Sequence, residues 1–231
     1  MGDSSLSLYE TLTYAVGVAG NLFSLSLITG QLFRRICQNK STEQFSGLPY
    51  VYSLLNCLIV LWYGLPWVSQ GVILVVTVNS VGALFHLSYS TTFIVFSENS
   101  KRFKMVGLLL AVFCIFALII YVSLEFFRGP ERQNFVGYLS IASLISMCAS
   151  PLFIIKLVIR TKSVEFMPFY LSLATFLMSI SFFTYGMLLH DFFIYLPNGV
   201  GAVLGLVQLL LYAYYSRRSS DISRLPLLVS N

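Results

Sequence analysis

Two asparagines, Asn79 and Asn198, stand 119 residues apart in near-copies of one pentapeptide, Asn79-Ser80-Val81-Gly82-Ala83 and Asn198-Gly199-Val200-Gly201-Ala202, each inside a long apolar stretch. A primary amide carries two donors and a doubly accepting oxygen, none of which hydrocarbon can satisfy. Two chemistries suit such a pair: bonding to a neighbouring helix as structural glue, or hydrogen bonding to a neutral, polyhydroxylated guest. No Asp, Glu, Lys or Arg falls in the middle of any apolar stretch. Coupled transporters keep ionisable groups there as proton carriers or ion ligands, so an uncoupled process is favoured. His86 is the one titratable group at depth, either a packed imidazole or a proton relay. Enzyme chemistry finds no foothold, because HExxH, GxSxG and any carboxylate cluster are absent. The four cysteines, Cys37, Cys57, Cys114 and Cys148, lack metal or redox spacing, and nothing asks for a cofactor.

The elements that must carry these amides are membrane spans. The chain is 57% hydrophobic and 10% charged, against about 25% charged in a soluble domain. Seven stretches, about 12–33, 48–67, 72–96, 105–127, 135–157, 168–189 and 192–215, are long enough to cross roughly 30 Å of hydrocarbon. The first reads as a span and not a cleaved leader, since only Asp3 and Glu10 carry charge before it. Alternate loops and the tail hold 12 of the 14 basic residues, among them Arg34, Lys40, Lys101, Lys104, Lys156, Lys162 and Arg217. The positive-inside rule then predicts a non-cytosolic N-terminus and a cytosolic C-terminus. The net charge of +5 is dispersed over short loops and signals topology, not nucleic-acid binding.

Further landmarks repeat in the same order. Lys40-Ser41-Thr42-Glu43 corresponds to Lys162-Ser163-Val164-Glu165, Pro49 with Ser53 to Pro168 with Ser172, and Tyr63-Gly64 to Tyr185-Gly186, at offsets of 119 or 122. The chain therefore divides into a first three-helix repeat (9–96), a linker helix with flanking loops (97–134), a second three-helix repeat (135–216) and a cytosolic tail (217–231). Three spans reverse sides, so the fourth, nearly all Leu, Ile, Val, Phe and Ala, restores the orientation and makes the repeats parallel. The expected fold is all-α and integral to the membrane: two parallel three-helix bundles joined by a linker helix. Parallel repeats place a substrate cavity between the halves, with the two amides facing across it.

The segments "NKSTEQFSGLPYVYSLLNCLIVLWYGLP", "TVNSVGA", "ASPLFIIKLVIRTKSVEFMPFYLSL" and "LPNGVGAVLGLVQLLLYAYY" resemble the SWEET (MtN3/saliva) sugar transporters, plant members above all, over residues 9–216. Parallel repeats are a known property of that family. The resemblance implies bidirectional, facilitative transport of a small sugar, glucose or another hexose, by alternating access. It implies sugar contacts from Asn79 and Asn198, with Val60 and Phe182 closing on the sugar; many members have a small polar residue and tryptophan at the latter two. It implies proline hinges at an inner gate, matched by Pro49, Pro151 and Pro168, while Thr29 stands where the first proline belongs. Tyr63, Tyr185 and Asp191 match the outer gate. The partners implied are sugar, lipid bilayer and further copies of the chain, at the plasma or vacuolar membrane. A proton-coupled or non-sugar transporter and a seven-span receptor are the alternatives, the last poorly served by a 3+1+3 duplication.

Overall fold

The computed structural model describes residues 2–28 and 46–224, with side chains over 9–24 and 46–216. Eight helical segments follow one another: α1 (Gly2–Ile28), α2 (Leu48–Gly64), α3 (Ile73–Phe96), α4 (Asn99–Glu125), α5 (Pro130–Met147), α6 (Ala149–Thr161), α7 (Phe169–Leu188) and α8 (Phe192–Arg224). No strand occurs among the described residues. Five stretches are long and apolar enough to cross a membrane: α3, α4, α5 and α6 taken together (Pro130–Thr161), α7 and Phe192–Ser216 of α8. Helix α2, with 17 residues, is about 25 Å long, and α1 completes a seven-helix, all-α membrane fold.

The fifth span is broken where the apolar pattern alone predicted one continuous helix. Pro151 has no N–H to offer the carbonyl of Met147, and its ring crowds that carbonyl. The chain responds with a tightened turn in which the Cys148 amide bonds the Ile145 carbonyl at 2.9 Å, and α6 starts afresh. Helix α4 begins at Asn99, so it carries Lys101, Arg102 and Lys104 on a turn beyond its apolar part.

Contacts group the helices into two compact units. One combines α1 with the chain from Leu144 onward; the other runs from Ile28 to Ser143. Repetition and compactness thus divide the chain differently. In the first unit, α1 of the first repeat packs on α7 of the second: the Phe182 ring lies over Gly20, and the Tyr9 hydroxyl donates to the Leu188 carbonyl. In the second unit, α5 of the second repeat bonds α2 of the first, through Asn56 Nδ2 to Ser143 Oγ at 2.8 Å.

Helix α4 packs into this second unit. Met105 and Val112 are buried with Val51 and Leu54 of α2 and Phe93 of α3, while Phe103, Leu110, Leu118 and Tyr121 of α4 remain exposed. Its far end is tied down by polar groups. Trp62 Nε1 donates to Ser123 Oγ at 3.0 Å. The Arg132 guanidinium donates to the carbonyls of Ser123, Phe127 and Trp67 at 2.9–3.2 Å. A cation over the last carbonyls of a helix satisfies acceptors that have no intrahelical donor and complements the dipole.

Candidate functional site

The two asparagines adopt the same arrangement, each within its own unit. Both are half-buried. Asn79 Nδ2 donates to the Val75 carbonyl at 2.8 Å, and Asn198 Nδ2 donates to the Ile194 carbonyl at 2.7 Å. Each bond reaches back four residues along the helix and fixes the amide's orientation. One N–H and the oxygen of each amide have no further partner among the described residues.

The anchors of these amides are set by glycines on the neighbouring helix. Val75 and Ile194 are 3% and 4% exposed. A Cβ built on Gly64 would lie 2.8 Å from Val76 Cγ2 and 3.6 Å from Val75 Cβ. A Cβ on Gly186 would lie 2.6 Å from the Tyr195 nitrogen and 2.9 Å from Ile194 Cγ2. Two turns on, Gly82 faces Cys57 Sγ at 3.0 Å and Gly201 faces Ser179 Oγ at 2.8 Å, measured from the same hypothetical Cβ. These pairs correspond through the offsets of 119 on α3 and α8 and 122 on α2 and α7. The duplication is therefore present in the packing of the α2–α3 and α7–α8 hairpins as well as in the sequence.

Val60 and Phe182 are buried, 8% and 6% exposed. The Phe182 ring is held on two sides, by Gly20 of α1 and edge-on by Tyr185, with ring centroids 6.3 Å apart. Its orientation is thus coupled to α1, a contact that spacing along the sequence does not reveal.

Tyr63 and Tyr185 are each 1% exposed. Tyr63 Oη accepts from Gln133 Nε2 at 3.3 Å, and the same Gln133 nitrogen also reaches Ser69 Oγ at 3.3 Å. Asp191 sits at the cap of α8, where its Oδ1 accepts from the Phe193 amide at 3.0 Å and its carbonyl accepts from the Ile194 and Tyr195 amides. This is ordinary N-cap chemistry, and it places a carboxylate at the tight α7–α8 turn beside His190, whose φ is +55°.

The prolines occupy helix beginnings. Pro49 is the second residue of α2, Pro168 the residue before α7, and Pro151 the third residue of α6. Thr29 lies outside the described residues. Three polar groups escaped the sequence reading: Asn56, Gln133 and Gln208, the last only 7% exposed on α8. The first of them was accessible to the argument that singled out Asn79, since it too lies at hydrocarbon depth. It lacks a repeated counterpart, Met178 standing at the equivalent place.

Fold and site together define a duplicated, polytopic all-α membrane protein with one uncharged amide in corresponding surroundings of each copy. Comparison with known proteins is specific. The family model described as "Sugar efflux transporter for intercellular exchange" matches residues 14–101 and 134–220. The chain is 63% identical over 225 residues, 96% of its length and 92% of the relative's, to the bidirectional sugar transporter SWEET2a of Oryza sativa subsp. indica. It is 54% identical over 231 residues to the bidirectional sugar transporter SWEET2 of Arabidopsis thaliana, covering 99% of this chain and 97% of that one. A solved structure of a eukaryotic SWEET transporter superposes with a TM-score of 0.89 at 58% identity, over 91% of this chain and 99% of that chain. The chain belongs to the SWEET (MtN3/saliva) family, among its plant members, and the relatives are named as transporters and not as enzymes.

Proposed function

We propose that this protein carries a small sugar, glucose or another hexose, passively in both directions across a membrane by alternating access. The observation that supports this best is the pair of matched amides. Asn79 and Asn198 each use one N–H to lock themselves to their own helix and keep a donor and an acceptor for hydroxyl groups. Hydroxyl–amide bonds have modest net energies, about 0.5–1.5 kcal/mol each, which orient a sugar yet permit its release. Val60 and Phe182 shape the pocket, and the outer gate involves Tyr63, Tyr185 and Asp191. Pro49, Pro151 and Pro168, with Thr29 in the remaining place, act at the inner gate. The N-terminus is non-cytosolic, the C-terminus cytosolic, the membrane plasma or vacuolar, and the assembly homo-oligomeric.

Purified protein in liposomes tests this directly. Radiolabelled glucose should equilibrate without a proton gradient, and Asn79→Ala or Asn198→Ala should abolish flux while the protein stays folded. Normal flux through either well-folded variant removes the site. Accumulation sustained by a pH gradient favours a coupled carrier, and sugar binding without flux favours a receptor.

A further inference from the structure

Two buried polar atoms on α3 have no role in the site above. His86 Nδ1 and Ser90 Oγ are both shielded from solvent and make no hydrogen bond among the described residues, and Ser90 is 0% exposed. Each such atom costs free energy in a low-dielectric interior, so a partner in another conformation is the economical explanation. Serine in a helix has an easy remedy, which is to bond the carbonyl four residues back. Its neighbours do so: Ser88 bonds the Leu84 carbonyl at 2.8 Å and Thr91 the Leu87 carbonyl at 2.9 Å. Ser90 does not.

Placement gives these atoms a direction. At 3.6 residues per turn, His86 and Ser90 lie within about 20° of the Asn79 face, roughly 10 Å and 16 Å further along the axis. That direction leads to Lys101 and Arg102, in the first turn of α4 beyond the end of α3. Internal duplication supplies a comparison. The α8 counterparts are Gly205 and Leu209, and a Cβ on Gly205 would touch the Phe176 backbone at 3.0 Å, so that copy is filled by packing. The polar pair is therefore not a shared scaffold feature of the hairpin. Aromatic surfaces adjoin it: Tyr89 meets the His86 ring edge-on at 6.4 Å and is itself tilted against the Tyr50 ring at 5.3 Å. Polar groups beside aromatic faces suit a ring that is hydroxylated at its rim and apolar on its faces.

We propose that His86 and Ser90 form a second hydrogen-bonding station for the transported sugar, on the cytosolic side of Asn79. The station rests on the sugar-transport reading and on the orientation given with it. Being shut in this conformation, it engages sugar in a different part of the cycle, so its effect falls on one membrane face.

The full chain in liposomes, assayed for zero-trans entry and exit of radiolabelled glucose with competing monodeoxyglucoses on each face, provides the test. In the native protein at least one deoxy analogue should lose about 3- to 10-fold more competitive strength, relative to glucose, at the cytosolic face than at the outer face. Ser90→Ala and His86→Leu should erase that difference between the faces and leave the outer-face profile unchanged, whereas His86→Asn, which keeps a polar group near Nδ1, should retain the difference. Should His86→Leu fail to fold, Ser90→Ala carries the test, since it removes one buried oxygen and no bond. Unchanged profiles in Ser90→Ala, or a uniform shift for every analogue, overturn the station alone. Absence of sugar flux in the native protein overturns the transport reading with it.

Discussion

Gly186→Ala isolates the contact that anchors the second amide. The added methyl carbon would sit 2.6 Å from the backbone nitrogen of Tyr195 and 2.9–3.0 Å from Ile194. A backbone atom cannot rotate away, so α8 must shift by tenths of an ångström. Overpacking of this kind costs about 1–3 kcal/mol, and the better helix propensity of alanine offsets at most about 1 kcal/mol. A net loss of about 1–2 kcal/mol lowers Tm by roughly 2–8 °C. The equivalent Gly64→Ala meets first a side-chain methyl, Val76 Cγ2, at 2.8 Å, with the Val76 nitrogen at 3.3 Å. A strained Val rotamer costs about 0.5–1.5 kcal/mol, nearly balanced by the same propensity gain. Gly64→Ala should therefore change Tm by less than about 2 °C. Because the Ile194 carbonyl holds Asn198, Gly186→Ala should also raise the half-saturating sugar concentration. Thermal unfolding of both purified variants, followed by flux at equal protein, settles the comparison. A neutral Gly186→Ala, or a Gly64→Ala as damaging as Gly186→Ala, refutes the packing argument.

Pro151→Ala returns a donor to the Met147 carbonyl and should join α5 to α6; stability should rise, by up to about 3 kcal/mol, while maximal flux falls with sugar binding unchanged. Faster or unaltered flux in the variant argues against a hinge there. At Asp191 the cap and the gate separate cleanly. Asp191→Asn keeps a capping oxygen and should leave Tm nearly unchanged, whereas Asp191→Ala should lose about 1 kcal/mol. If the carboxylate's charge serves the gate, flux drops in both, measured at equal surface abundance; full activity in Asp191→Asn leaves only the cap.

Both amides were legible because hydrocarbon is intolerant of unsatisfied polarity and because the duplication displayed them twice. Asn56 shows the limit of that logic, since it lies at similar depth but is answered by Ser143 Oγ, 87 residues away. Gln133 was invisible for a different reason: it lies in the first turn of α5, ahead of the apolar stretch, and its role follows only from where Tyr63 and Ser69 stand. Pro151 was matched to a hinge within the fifth span, yet the tightened turn at Cys148 is a response of the backbone that no residue type announces.

From its residues alone the chain is a seven-span, duplicated membrane protein of the SWEET type with two matched asparagines, because span length, loop charge and repetition are one-dimensional properties. Tertiary structure decided how the repeats are interleaved. Helix α1 packs on α7, and α5 bonds α2, so each compact unit is assembled from both repeats. It also decided that one N–H of each asparagine is already committed to its own helix, and that His86 and Ser90 stand unanswered on the same face. Packing and hydrogen bonding depend on which helices meet, and helices of nearly uniform apolarity do not write their neighbours into their own order.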